Sequence, residues 1–147
     1  MANRIHLSLL QNGEEWNNKV DLDPNFKADL SDADLCGQDF SYRNFTGANL
    51  ANVNFNKCNL TGANFDKANL VRAKFKGAKL LSTYFTEANL SSADFSPYEE
   101  TIGNIVEPIK TDFSLANFTD AITDKANFTD VRFFKTTMPD RSLHTSH

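Results

Sequence analysis

Every fifth residue from Leu30 to Phe95 is Leu or Phe, 14 positions in a row without an exception. An α-helix returns a side chain to the same face every 3.6 residues and a β-strand every two, so a period of five fits neither. The stretch from Ala63 to Leu80, ANFDKANLVRAKFKGAKL, shows the unit plainly: Ala, a variable residue, then Leu or Phe. Ala stands two residues before the Leu or Phe in nine of the 14 units, and Gln38, Arg43, Val53, Cys58 and Thr83 take its place in the others. The residue between is mostly Asp or Asn, as at Asp29, Asp34, Asn44, Asn64, Asn89 and Asp94. One five-residue unit buries almost nothing. The chain gains a core only if its units stack and share one, which is how solenoids are built.

These units resemble the pentapeptide repeat family, whose consensus is Ala-(Asp/Asn)-Leu-x-x. The resemblance runs unbroken over residues 28–97 and resumes less regularly in the units that end at Phe113, Phe118, Thr123, Phe128 and Phe133. It implies an all-β fold, a right-handed quadrilateral β-helix with four pentapeptides per coil. On such a coil the Leu or Phe points to the axis, the Ala packs inward beside it, and the other three positions meet water. Residues one coil apart then form columns: Leu30, Leu50, Leu70 and Leu90; Leu35, Phe55, Phe75 and Phe95; Phe40, Leu60 and Leu80; Phe45, Phe65 and Phe85. The Asn and Asp side chains are expected to hydrogen-bond the corner backbone, as they do in turns.

A solenoid must cover its open ends. Residues 1–27 lack the repeat and are expected to form a helical N-terminal cap of two short helices. Gly13 should stop the first, and Trp16 should plug the first coil. Gln38 and Arg43, polar at inward positions, are expected to reach that cap. Repeats then occupy 28–97 and 111–135, around an insertion at 98–110, and 136–147 form a tail. In the insertion, Ser96-Pro97-Tyr98-Glu99 reads as a capping box, and Ile102, Ile105, Val106 and Ile109 have helical spacing, so a short helix ended by Pro108 is expected. The spacing from Phe95 to Phe113 is not a multiple of five, so the register should be lost and restarted. Phe133, Phe134 and Met138 are expected to close the last coil. Members of the resembled family often end in a Met-Pro-Asp segment tied by cysteines; here Met138-Pro139-Asp140 has no cysteine near it.

The sequence offers little chemistry. A rod filled with Leu and Phe has no concave site for convergent polar groups, so no enzyme is expected, and neither cofactor nor metal. His6, His144 and His147 lie near the termini, and the last two read as part of a frayed tail. Cys58 takes an inward Ala position as a small hydrophobe, whereas Cys36 should be an exposed thiol, too differently placed for a disulfide. No apolar run approaches the ~18 residues of a membrane helix, and Met1 to Leu10 lacks the pattern of a signal peptide. A cytoplasmic monomer is therefore expected, with no membrane contact.

Charge is distributed unevenly. The net charge is −4, which does not suggest direct nucleic-acid binding. Residues 43–80, however, hold seven basic groups and only one acidic group, Asp66, between two acidic ends. Folded into coils, Lys57, Arg72, Lys74, Lys76 and Lys79 converge on the second side and its corners. A flat, rigid face with fixed charge suits an acidic protein partner. The expected function is a non-catalytic protein-interaction scaffold that uses this basic side or the insertion. The family resemblance implies an alternative, mimicry of DNA to bind DNA gyrase or another topoisomerase. That activity needs continuous negative columns, and here lysines interrupt them.

Overall fold

The computed structural model describes residues 1–145. From Asp29 to Thr137 the chain winds in coils joined by isolated parallel bridges, each between residues at the same place in successive turns. On the first side Asp29 bridges Asn49, then Asn69, then Asn89; on the second Asp34 bridges Asn54, then Lys74, then Asp94. Each five-residue side contributes one bridging residue, whose two flanks also bond the neighbouring turns. Leu30 donates to Asn49 O at 2.9 Å, for example, and Asn49 donates back to Ala28 O at 2.8 Å. At each corner the chain folds on itself, as where Ala33 N donates to Leu30 O at 3.1 Å. The residue before that donor sits in the left-handed region, Asp32 at φ 61° and Lys67 at φ 60° among them. The Asp and Asn carboxylate or amide oxygens stabilise these corners by accepting from the N–H two residues on, as Asn64 does from Asp66 at 2.8 Å. Asn amides also ladder between coils, Asn54 Nδ2 donating to Asp34 Oδ1 at 2.9 Å. Where Lys74 and Tyr84 replace Asn, the coil below supplies the acceptor: Asn56 Oδ1 takes the Lys76 N–H and Asp66 Oδ1 the Thr86 N–H, both at 2.8 Å.

The interior holds two phenylalanine ladders on opposite sides, with two columns mainly of leucine between them, Leu30, Leu50, Leu70 and Leu90 in one and Leu60 and Leu80 in the other. Phe45, Phe65, Phe85 and Phe118 stack nearly parallel at 4.9, 5.2 and 4.9 Å between ring centroids. Phe55, Phe75, Phe95 and Phe128 stack at 5.4, 4.8 and 5.1 Å. These spacings match the ~4.8 Å between hydrogen-bonded strands, so the backbone ladder holds the rings in register. Across the axis the ladders meet edge to face, Phe55 against Phe65 at 5.6 Å, a favoured geometry for aromatic pairs. Full burial of each ring contributes roughly 1.5–3 kcal/mol.

The insertion is not a helix. It is an antiparallel hairpin, β1 (Tyr98–Ile102) paired with β2 (Ile105–Ile109). The isoleucine spacing that suggested a helix belongs to β-branched residues, which pack better on strands. Gly103, at φ 63°, and Asn104 make the two-residue turn, a strong hairpin signal. Pro108 does not stop a helix; it lies in β2 opposite Glu99, on an edge strand where proline is tolerated. Nor is the register lost. Lys79 bridges Asp112, Tyr84 bridges Asn117 and Asp94 bridges Asn127, so every column continues past the hairpin.

The N-terminal cap consists of α1 (Arg4–Leu10) and α2 (Gly13–Leu22). The break lies at Asn12, whose side chain caps α2, and Gly13 opens the second helix instead of stopping the first. Trp16 is fully buried, packs on Phe26 and Phe45, and donates its indole N–H to Asn44 O at 2.6 Å. Arg43 reaches the cap: its guanidinium packs against Gly13, where an added Cβ would lie 1.7 Å from its Nη1 and push the guanidinium aside. At the other end β3 (Thr136–Thr137) pairs with β4 (Leu143–His144). His144 is not frayed, because its ring packs edge-on against Phe133 at 4.8 Å. Arg141 ties the tail to Asp120 at 2.8 Å. His147 lies outside the described residues.

Candidate protein-interaction surface

The hairpin leaves the rod after Phe95, at the corner between the second and third sides, and folds down over the coil beneath. A Cβ on Gly77 would lie 2.8 Å from Tyr98 Cβ and 3.1 Å from Ile109 O. Gly77, at φ +65°, is therefore the corner residue that lets the hairpin lie flat. One coil lower, Lys57 donates to Glu100 Oε1 at 3.0 Å and stands 4.8 Å above the Tyr98 ring. The Glu100 hydrogen bond raises the Lys57 pKa. Thr111 ties the base of the insertion down, donating to Phe75 O at 2.9 Å and accepting from Gly77 N at 3.1 Å.

This placement divides the five basic residues singled out by sequence. Lys57 is engaged by the hairpin, and Lys76 faces Asp94 at 3.4 Å. Arg72 occupies the corner between the first and second sides, with φ 58°, and Lys74 the middle of the second side, between Asn54 and Asp94. Lys79 lies on the third side, between Asn59 and Asp112. Arg72, Lys74 and Lys79 are exposed and make no ion pair among the described residues. The hairpin stands between the first two and the third.

Two cations on the third side escaped sequence reasoning, Lys110 and Arg132. Arg132 bridges Asp112 in the column of Lys79, and Lys110 pairs with Asp130. Counting one coil on from the unit that ends at Phe113 would have placed Arg132 there from sequence. The hairpin also presents Ile102, Ile105 and Val106 to solvent, 64%, 62% and 57% exposed.

The cysteines are far apart in character. Cys36 is exposed and Cys58 buried, and both are free. Cys58 Sγ donates to Leu35 O at 3.0 Å, and burial pushes its thiol up to about 11. Among the described residues no group of three or more His, Cys, Asp or Glu side chains could hold a metal ion. No helix of the described residues is long and apolar enough to cross a membrane.

Two family models match the chain: one for a pentapeptide repeat region over residues 48–99, and one for pentapeptide repeats (8 copies) over 28–66 and 111–139. Together they span the coils on both sides of the hairpin. No curated protein sequence matches. Among solved structures, HetL is similar; it is a pentapeptide repeat protein involved in heterocyst differentiation regulation from the cyanobacterium Nostoc sp. strain PCC 7120. It is 27% identical with a TM-score of 0.62, over 80% of this chain and 52% of HetL. The chain thus spans about half the length of that relative. A pentapeptide repeat protein from the Arabidopsis thaliana thylakoid lumen is 29% identical over 72% of this chain and 68% of its own, with a TM-score of 0.29. The plasmid-mediated fluoroquinolone resistance protein QnrB1 is 19% identical over 70% of this chain and 52% of its own, with a TM-score of 0.39.

Proposed function

The chain belongs to the pentapeptide repeat family, and from that premise we propose that it is a non-catalytic, rigid scaffold that binds an acidic protein partner beside its hairpin. We read the rod as the right-handed quadrilateral β-helix of the family, with residues 28–97 and 111–135 as one body that the hairpin decorates. The observation that carries the functional reading is the set Arg72, Lys74 and Lys79: three exposed cations without ion pairs among the described residues. Each is fixed by a laddered backbone, so little ordering cost attaches to bringing them together. The same surface carries the exposed apolar residues of the hairpin, and an apolar patch bordered by charge is the composition of an interaction site. HetL, described as taking part in regulation, is consistent with a protein that acts by contact.

DNA mimicry finds no favouring feature here. The outward residues of the second side run Asp34, Asn54, Lys74, Asp94 and Asn127, and those of the third Asp39, Asn59, Lys79, Asp112 and Arg132. Neither column is continuously negative.

The test is affinity capture from native lysate with wild-type protein and with the triple variant Arg72→Glu, Lys74→Glu, Lys79→Glu. An acidic protein held by wild type, released by salt and lost by a variant with an unchanged melting temperature is the expected result. Equal capture by both proteins refutes the basic surface, and capture of gyrase would establish the mimicry reading in its place.

A further inference from the structure

Between the hairpin and the third side lies a trough of about 470 Å³. One wall is Gly77, Pro108 and Ile109, and the opposite wall includes Leu81. Leu81 is 39% exposed, and Leu115, one coil higher on the same corner, is 51% exposed. Between the walls stand Lys79, Asp112 and Arg132, stacked in one column by their bridges, with Lys110 at the side. Lys79 has no ion pair among the described residues; Arg132 meets Asp112 at 3.6 Å, longer than a hydrogen bond, with its side chain 62% exposed. Lys110 is taken up by Asp130.

We propose that this trough binds an extended segment of a partner protein in which acidic and apolar residues alternate. The proposal rests on the reading that the partner is acidic, and it adds where the partner is gripped and by what pattern. An extended chain puts successive side chains on opposite faces, ~3.3 Å apart along its length. Carboxylates on every second residue, ~7 Å apart, then meet Lys79 and Arg132. These stand two coil layers apart, ~10 Å at the ladder spacing, a difference that their long side chains take up. The arginine's planar fork can hold a carboxylate in two parallel hydrogen bonds, which the 3.6 Å contact with Asp112 leaves open. The intervening apolar side chains point to the other face and seat against Leu81 and Leu115, on the corner opposite the hairpin. Pro108 cannot donate a backbone hydrogen bond from β2, so recognition falls on side chains and not on strand addition.

The experiment is fluorescence anisotropy with a fluorescein-labelled peptide of alternating glutamate and valine, beside control peptides alternating glutamate with serine and lysine with valine. The proteins are wild type, Lys79→Glu, Leu81→Ser, a variant of the neighbouring side, Arg72→Glu with Lys74→Glu, and Lys67→Glu at a corner away from the hairpin, each checked for an unchanged melting temperature. The trough predicts saturable, salt-sensitive binding of the Glu/Val peptide to wild type. Lys79→Glu and Leu81→Ser should each weaken it about tenfold, the size expected of a lost charged or packed contact; Lys67→Glu should leave it within about twofold. No binding of the Glu/Val peptide overturns the proposal, as does equal binding of the Glu/Ser or Lys/Val peptide. If instead the Arg72 and Lys74 variant alone loses the peptide, the trough is wrong while the acidic-partner reading stands. If the Glu/Val peptide binds all five proteins equally, both fail.

Discussion

At the scale of single residues, the inward position two before each Leu or Phe shows how the core tolerates polarity. Cys58, Thr83, Thr111 and Thr136 replace Ala there or at the equivalent place, and each donates to the backbone carbonyl of a Leu or Phe in the coil below: Leu35, Leu60, Phe75 and Phe113, at 3.0, 3.1, 2.9 and 2.7 Å. Buried polar groups are stable only when hydrogen-bonded, and the laddered carbonyls offer a second lone pair for the purpose. Sequence places Cys58 inward as a small hydrophobe, and it is 1% exposed; that its thiol also donates depends on a neighbour in the coil below, which no local pattern displays. With its pKa pushed up to about 11 by burial, Cys58 is protonated and shielded at a mildly alkaline pH. A thiol reagent under those conditions should therefore modify one cysteine per chain rapidly, Cys36, and the second only after denaturant is added. Two rapid modifications would place Cys58 at the surface, and the inward assignment of its column would fail.

At the scale of elements, the repeats are legible in the sequence and the insertion is not. A five-residue period fits neither a helix nor a strand, and the columns of Leu and Phe one coil apart already point to rings stacked in register. The hairpin is disguised because Ile102, Ile105, Val106 and Ile109 satisfy helical spacing as well as two short strands do. The Gly103-Asn104 turn between two β-branched runs is the deciding signal, and the apparent capping box at Ser96 competes with it. The candidate surface suffers from the same ambiguity: five cations can be assigned to coil positions, but only a folded hairpin shows that Lys57 is consumed by Glu100 and Tyr98. Removing residues 97–109 would join Ser96 to Lys110 and leave Phe95 and Phe113 five positions apart, with Thr111 and Asp112 in the two positions before the Phe. Such a variant should fold, keep its β circular dichroism and melt cooperatively, because every bridge of the rod remains available. An unfolded deletion variant would mean that the hairpin, and not the ladder, holds the two blocks of repeats together.

At the scale of the whole molecule, the protein is a rod about five layers high, roughly 20 Å at the ladder spacing. The helical cap with Trp16 closes one end, and the β3–β4 tail closes the other. The central claim is that the coils above and below the insertion are one rigid body, with the hairpin as an appendage on its basic flank. Hydrogen exchange read by mass spectrometry tests this most directly, since protection reports the free energy of opening for each region. Peptides from residues 48–95 and 111–120 should exchange slowly and together, with those from 98–109 much faster. Slow exchange below the insertion beside fast exchange above it would contradict that claim, because the rod would then be two units divided at the hairpin.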